Sequence, residues 1–572
     1  MFLRKYPLRF AVVCIVLFIG FAYSVGFLIF IQIFRADFLS NLAQRQHEHS
    51  VVLEPRRGTI YDRNMRALAI NLPVYSVYAN ARAMEQEHDE DEVASKLSAI
   101  LKIDPKVIID KLQKDKYFVW IGRKIPDEAY QQIRDLKLPG IGFIKESKRY
   151  YPNQILASHL IGFAGLDNNG LDGLERDYDK YLKGQPGHAI ILRDACSREL
   201  MFDKGYVPPV DGFSVVLTID ETIQYIAERA LDRMYKKYNC KGASIIVMDP
   251  RTGEILAFAN RPTYNLEDVS HSTPESRTDR AIVFTYEPGS VFKIVTASAA
   301  LQEGVVKETD MINCEHGAYR VANHILHDHE PLGTISFKQV IEQSSNIGTT
   351  KVAQRLGPTR FYAYAHGFRF GMRTGIDLPG EALGILKPVS QWSKTSIGAI
   401  PIGQEVTVTP IQLMGAISAI ANGGIYMRPF VVKYVKDADG QIIFEHTPQA
   451  LARVISPRTD LRVKAILKGV VDEGTGTKAQ IPGVTVAGKT GTAQKVVSGI
   501  YSHSHFYATF VGFAPVDNPR LAAVVVFDDP RPVYYGGSVS APVFAEVIGD
   551  SLKYLNAQGP SGPDGDTVGV DD

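Results

Sequence analysis

The chain has 572 residues, a formal net charge of +1, 45% hydrophobic residues and 22% charged ones. That length allows several domain-equivalents and a large buried core. The near-zero charge gives no basis for a nucleic-acid surface. The four cysteines, Cys14, Cys196, Cys240 and Cys314, are widely spaced and form no C-x-x-C pair. Neither a zinc site nor a disulfide framework is indicated, and a single bridge among Cys196, Cys240 and Cys314 stays open.

Residues 10–34 carry no charged side chain. A helix of about 25 residues spans about 37 Å, enough for a hydrocarbon core of about 30 Å. Arg4, Lys5 and Arg9 come first, so the positive-inside rule puts residues 1–9 in the cytoplasm and everything after Arg35 outside. The stretch is too long for a cleaved signal peptide and no A-x-A site follows it. A single-pass anchor is expected, followed by a polar stalk over residues 36–49.

Next comes Arg56-Arg57-Gly58-Thr59-Ile60-Tyr61-Asp62-Arg63-Asn64, which reads as a strand and a turn. Residues 91–112 read as two short helices broken at Asp104-Pro105, and 141–148 as a strand. Tyr151-Pro152, Gly170 and Gly173-Leu174-Glu175 imply tight turns and close backbone approaches. His159 lies in an apolar stretch and reads as a hydrogen-bonded structural histidine. This part, residues 35–210, is mixed α+β with no chemical constellation, and a scaffold or docking module is expected.

A boundary falls near Pro208-Pro209-Val210-Asp211-Gly212. Beyond it a strand at 214–218 leads to a long helix capped by Asp220. Strands at 243–248 and 254–259 flank Asp249-Pro250-Arg251-Thr252-Gly253, a hairpin signal. In Tyr286-Glu287-Pro288-Gly289-Ser290-Val291-Phe292-Lys293, Ser290 and Lys293 are three apart, on one face of a helix. A serine hydroxyl needs a base beside it, and a partly desolvated lysine amine can serve. Residues 314–331 form a polar segment with loop-like flanks. Its His324, His327 and His329 have no regular ligand spacing, so metal is not expected.

Ser344-Ser345-Asn346 joins two helical stretches, 337–343 and 347–352. A strand at 484–493 contains Lys489-Thr490-Gly491-Thr492, with Gly491 allowing a close approach. Strands at 506–513 and 521–527 follow it as an antiparallel set. Residues 556–572 are rich in Gly, Asp and Pro and read as a disordered tail.

S-x-x-K, S-x-N and K-T-G in this order are the signature of penicillin-binding proteins and serine β-lactamases. With the anchor, Arg57-Gly58-Thr59-Ile60-Tyr61-Asp62-Arg63-Asn64 and Val511-Gly512-Phe513-Ala514-Pro515, the chain resembles class B penicillin-binding proteins almost throughout. Met65 departs from the family, which usually has glycine there. Ser-Ser-Asn, Tyr534-Tyr535-Gly536-Gly537 and Ala541-Pro542-Val543-Phe544 resemble the division type more than the elongation type, which commonly has Asp third in the second motif.

The resemblance implies an α+β chain with a transmembrane helix at 10–34, a pedestal at 35–210 and a transpeptidase domain at 211–555. That domain would be β-lactamase-like, an antiparallel sheet flanked by helices. The implied activity is peptidoglycan D,D-transpeptidation through a serine acyl-enzyme in septal wall synthesis, with some D,D-carboxypeptidase activity left open. The implied catalytic residues are Ser290, Lys293 and Ser344. Asn346, Lys489, Thr490, Gly491 and Thr492 would bind substrate, and the Ser290 and Thr492 N–H groups would form an oxyanion hole. No cofactor is implied. The implied partners are D-Ala-D-Ala stem peptides with an amine acceptor, β-lactams, a membrane glycan polymerase and other division proteins. A β-lactamase would need an added base, and none is placed by motif. A non-catalytic division scaffold has no need of paired lysines around a serine.

Overall fold

The computed structural model describes residues 7–36, 48–80, 84, 90–114, 118–193, 199–200 and 207–558. The start of the expected cytoplasmic segment, most of the stalk, Cys196 and the expected tail beyond residue 558 lie outside the described residues. The chain forms two compact units, Met1–Arg56 with Gly184–Asp211, and Arg57–Lys183 with Gly212–Asp572.

In the first unit, a helix over Pro7–Ile29 continues as a π-helical turn over Phe30–Phe34. Its apolar side chains, Phe18 and Phe21 among them, are exposed, and Leu8–Phe34 is long and apolar enough to cross a membrane. The strand Glu48–Leu53 runs antiparallel to Gly187–Arg193, which pairs in turn with Glu199–Leu200.

The second unit holds two large sheets. One has seven strands: Ile442–Glu445, Val432–Lys436, Ser214–Leu217, Ile60–Tyr61, Ala67–Ala79 and Val119–Ile125 in order, with Ile141–Tyr150 also on Ala67–Ala79. Ile60–Tyr61 and Ser214–Leu217 pair in parallel, so the sheet runs across position 210. The helices Glu90–Leu101 and Pro105–Lys114 break at Asp104, as the proline requires.

The spaced motifs of this region meet in one buried ion cluster. Arg57 Nε donates to Glu175 Oε2 and Arg149 Nε to Glu175 Oε1, each at 2.6 Å. Arg57 Nη1 reaches Asp179 at 2.6 Å and the Asn168 carbonyl at 2.8 Å. The side chains of Arg57 and Glu175 are fully buried, a placement that charged groups tolerate only when paired and hydrogen-bonded. His159 is buried as well. Its Nε2 lies 2.8 Å from the Ser276 carbonyl, and burial pushes its pKa down to about 4, so the ring stays neutral.

The other sheet has five strands: β1 (Gly242–Met248), β2 (Ile255–Arg261), β3 (Ala487–Val497), β4 (Ile500–Ala514) and β5 (Leu521–Asp528), in the order β2-β1-β5-β4-β3 and antiparallel throughout. β3 begins at Ala487, three residues later than the sequence pattern predicts. Every residue of β1, β2 and β5 is buried, as in a sheet covered on both faces. One face packs with the helices Glu221–Lys237, capped by Asp220, and Gly536–Ala557. Across the other lie the helices that carry the site, α1 (Lys293–Gln302) and α2 (Asn346–Leu356), with Pro410–Ala421 and Pro457–Asp472. β3 is an edge strand, so one side of its backbone is left for something other than sheet pairing.

Residues 314–331 are more ordered than the sequence suggests. Ala318–Val321 and His324–His327 form a small hairpin. Cys14, Cys240 and Cys314 are free thiols.

At Asp62-Arg63-Asn64, Asp62 Oδ1 accepts from the Asn64 and Arg66 N–H groups at 2.8 Å, closing a tight turn. Met65 sits in it at φ +63°. A side chain there costs about 1–2 kcal/mol, partly offset in glycine by its extra chain entropy. Met65→Gly is therefore expected to stabilise the protein by about 0.5–1 kcal/mol. A raised midpoint in thermal melts would agree, and a lowered one would contradict the strain.

Candidate active site

Three segments distant in sequence meet at the edge of β3. The first is the turn Gly289–Phe292, a 3-10 helix that runs into α1. In a 3-10 turn residues three apart eclipse one another, which keeps Ser290 and Lys293 on one side. Gly289, at φ +57°, donates its N–H to the Gly403 carbonyl at 3.1 Å. A Cβ on Gly403 would lie 2.1 Å from the Gly289 carbonyl oxygen, so that approach requires glycine. Ser290 is half-buried, and among the described residues its hydroxyl makes no hydrogen bond, leaving it free to turn.

The second segment is Ser344-Ser345-Asn346, between the helix Phe337–Glu342 and α2. Ser344 turns the chain at φ +60°, a conformation a serine keeps only when its surroundings enforce it. Ser345 caps α2, its Oγ accepting from the Gly348 N–H at 2.9 Å.

Asp328 fixes this junction, and sequence reasoning missed it. Oδ1 accepts from the N–H groups of Asn346 at 2.5 Å and Ile347 at 3.0 Å, while Oδ2 accepts from Ser345 Oγ at 2.6 Å. It caps α2 from across a hairpin, so no local spacing advertises it. It sits among the histidines considered as metal ligands. Of these, His327 gives its carbonyl to Asn346 Nδ2 at 2.9 Å, and the His329 ring stacks on Tyr535 at 5.5 Å.

The third segment is Lys489-Thr490-Gly491-Thr492 on β3. A Cβ on Gly491 would lie 2.9 Å from the Pro288 carbonyl oxygen, so this face of the strand lies against the turn that carries Ser290. The Thr492 carbonyl oxygen faces Gly289, 3.3 Å from where a Cβ would stand. A strand residue directs its N–H to the same edge as its carbonyl, so the Thr492 N–H also points at that turn. Thr490 Oγ1 is 2.6 Å from Thr475 Oγ1, and Thr492 Oγ1 accepts from the Gly536 N–H at 3.1 Å.

The side chains of the three segments join at Ser344. Lys293 Nζ lies 3.3 Å from Ser344 Oγ and donates to the Ser344 carbonyl at 2.5 Å and to Asn346 Oδ1 at 2.7 Å. Lys489 Nζ donates to Ser344 Oγ at 2.9 Å and to the Thr490 carbonyl at 3.2 Å. Both lysines are fully buried, and among the described residues neither forms an ion pair. Burial drives the Lys293 pKa well below the usual lysine range and the nearby Lys489 charge lowers it further, with Asp328 opposing. Burial alone pushes Lys489 down to about 7.

The arrangement brings the Ser290 turn, two desolvated lysines and the Ser344 hydroxyl between them together at the edge of β3. That constellation suits acyl transfer through a serine.

Comparison with known proteins yields the same assignment. The penicillin-binding protein transpeptidase domain family matches residues 243–549, and the penicillin-binding protein dimerisation domain family matches 52–217. The chain is 35% identical over 538 residues to stage V sporulation protein D of Bacillus subtilis, covering 92% of this chain and 83% of that protein. It is 31% identical over 579 residues to the peptidoglycan D,D-transpeptidase FtsI of Escherichia coli, covering 98% and 93%. Among solved structures, penicillin binding protein 3 of Mycobacterium tuberculosis in complex with aztreonam superposes with a TM-score of 0.70 at 28% identity, covering 90% of this chain and 98% of that one.

Asp328→Ala removes the acceptor of three donors at the α2 N-terminus. A loss of about 2 kcal/mol is expected, at the upper end for a helix cap. Denaturant unfolding checks this, and an unchanged midpoint would show that Asp328 does not hold the junction.

Proposed function

The chain belongs to the class B penicillin-binding proteins, the peptidoglycan D,D-transpeptidases, and on that premise we propose that Ser290 is its nucleophile and Lys293 the base that activates it. Ser344 relays the proton and Lys489 holds the substrate carboxylate. The observation that carries this reading is the Ser344 hydroxyl between two buried lysines.

A neutral amine has two N–H groups and one lone pair. Both N–H groups of a neutral Lys293 are matched by carbonyl oxygens, those of Ser344 and of the Asn346 amide. The lone pair is then left for the Ser290 proton. Ser290 Oγ attacks the carbonyl of the penultimate D-alanine of a stem peptide, and the oxyanion forms between the Ser290 and Thr492 N–H groups. One such donor contributes about 3–4 kcal/mol. The C–N bond then breaks, and the proton on Lys293 passes through Ser344 to the departing D-alanine amine. An amine from a second stem peptide resolves the acyl-enzyme into a cross-link.

The threonine hydroxyls support the carboxylate assignment. Thr492 Oγ1 already accepts from Gly536, and Thr490 Oγ1 accepts when Thr475 donates to it. Each then has its own hydrogen to offer the terminal carboxylate, next to Lys489. Asn346 holds the substrate amide. A β-lactam acylates the same serine, a reading supported by the aztreonam complex of the Mycobacterium tuberculosis relative.

The apolar helix Leu8–Phe34 and the basic residues before it support a single-pass anchor with its N-terminus in the cytoplasm and the catalytic unit outside. Ser344-Ser345-Asn346 and Tyr534-Tyr535-Gly536-Gly537 support a septal role in cell division, beside a membrane glycan polymerase and other division proteins. The Bacillus subtilis relative is named for sporulation, so the setting is decided by localisation.

Two outcomes are expected. A fluorescent penicillin labels the wild-type protein persistently, while Ser290→Ala and Lys293→Arg take up no label, arginine being unable to act as a base. Wild-type labelling of Ser290→Ala would remove Ser290 as the nucleophile. A tagged copy concentrates at mid-cell in dividing cells, and an even distribution along the side wall would favour elongation.

A further inference from the structure

A cavity of about 340 Å³ opens beside the nucleophile turn, with Glu405, Gln404, Tyr501, His324 and Asn323 in its wall. It is tied to that turn through the backbone, since Gln404 and Glu405 directly follow Gly403, whose carbonyl accepts the Gly289 N–H. The Glu405 N–H donates to Glu287 Oε1 at 3.0 Å, and Tyr501 Oη donates to the same oxygen at 3.2 Å. Glu287 stands three residues before Ser290.

The charges here are not balanced. Glu405 Oε2 accepts from Ser396 Oγ at 2.7 Å, and among the described residues Oε1 makes no hydrogen bond. Glu287 Oε2 is buried with no partner. Among the described residues no lysine, arginine or histidine forms an ion pair with either carboxylate. Glu405 also holds the left-handed conformation at φ +57°, where glycine would be relaxed, so a side chain is kept there at a conformational cost. Glu405 lines the cavity with one carboxylate oxygen unpaired among the described residues, and a cation in the cavity can pair with it.

We propose that this cavity receives the primary ammonium of the acceptor stem peptide, paired with the Glu405 carboxylate. The inference rests on the transpeptidase reading, in which a second, amine-bearing substrate must reach the acyl-enzyme. The volume suits an aminoalkyl side chain. An anion is disfavoured at Glu405 and favoured at Lys489, so donor carboxylate and acceptor ammonium are sorted to different parts of the site. The bound ammonium gives one proton to solvent and the amine nitrogen forms the new C–N bond. As the Ser290 Oγ–acyl bond breaks, the second nitrogen proton passes through Lys293 to Oγ.

The test uses the full-length protein in detergent with a thioester donor and, as acceptor, a stem tripeptide bearing a free side-chain amine. Aminolysis and hydrolysis are measured against acceptor concentration and counted per penicillin-reactive site. Glu405→Gln is expected to raise the acceptor concentration for half-maximal aminolysis about tenfold, as loss of a charge-assisted contact does. Asn323→Lys, a cation on the exposed turn at the cavity mouth, is expected to raise it in the same direction. If Glu405→Gln takes up no penicillin, Asn323→Lys alone decides. An unchanged half-saturation in the variants that label overturns the cavity assignment and leaves the nucleophile reading intact. Absence of label on the wild type overturns that reading instead.

Discussion

Lys293 and Lys489 approach one hydroxyl, Ser344 Oγ, from two elements, at 3.3 and 2.9 Å. Both are fully buried, and neither has a carboxylate partner among the described residues. Two uncompensated ammonium groups at such range repel each other, and burial penalises each separately. Both are therefore driven toward the neutral form. Lys293 faces the Ser344 carbonyl, the Ser344 hydroxyl and the Asn346 amide oxygen, and burial with the neighbouring charge takes it well below the usual lysine range, while burial pushes Lys489 down to about 7. The proposed division of labour, Lys293 as base and Lys489 as binding charge, assigns different tasks to two residues of the same type.

The fold maintains this pair at some cost. Ser344 is held in a left-handed conformation, and Asp328 clamps the next residues through three hydrogen bonds. Lys489 comes from the edge strand β3, whose unpaired side lies against the turn that carries Ser290, and Gly491, Gly289 and Gly403 allow the three backbones to approach. The site is a contact between a helical layer and a sheet edge. The fully buried strands β1, β2 and β5 form the rigid support behind it.

Much of this was legible in sequence because it is local. Ser290 and Lys293 share a turn, the Lys489 segment alternates as a strand, and Asp220 announces its helix. Long-range pairings left no such trace. Arg57, Arg149 and Glu175 fall in separate motifs whose common purpose appears only when the ion cluster is assembled. Asp328 caps a helix that begins well after it, and the hairpin that delivers it is polar and short, so residues 314–331 read as loop. Glu405 gave no signal because the cavity it lines is assembled from segments distant in sequence, and its backbone meets Glu287 only in the fold. Met65 was visible as a departure from the family, but only the backbone angle explains why glycine suits that position.

The division of labour between the lysines is tested most directly by the pH dependence of the second-order rate constant for penicillin acylation, which reports the free enzyme. Neutral Lys293 gains population as pH rises through its depressed pKa. Cationic Lys489 loses population as pH rises through about 7. The account predicts a bell with its maximum near neutral pH, its two limbs belonging to the coupled pair. A rate that keeps climbing to pH 10, as an ordinary exposed lysine base would require, contradicts it.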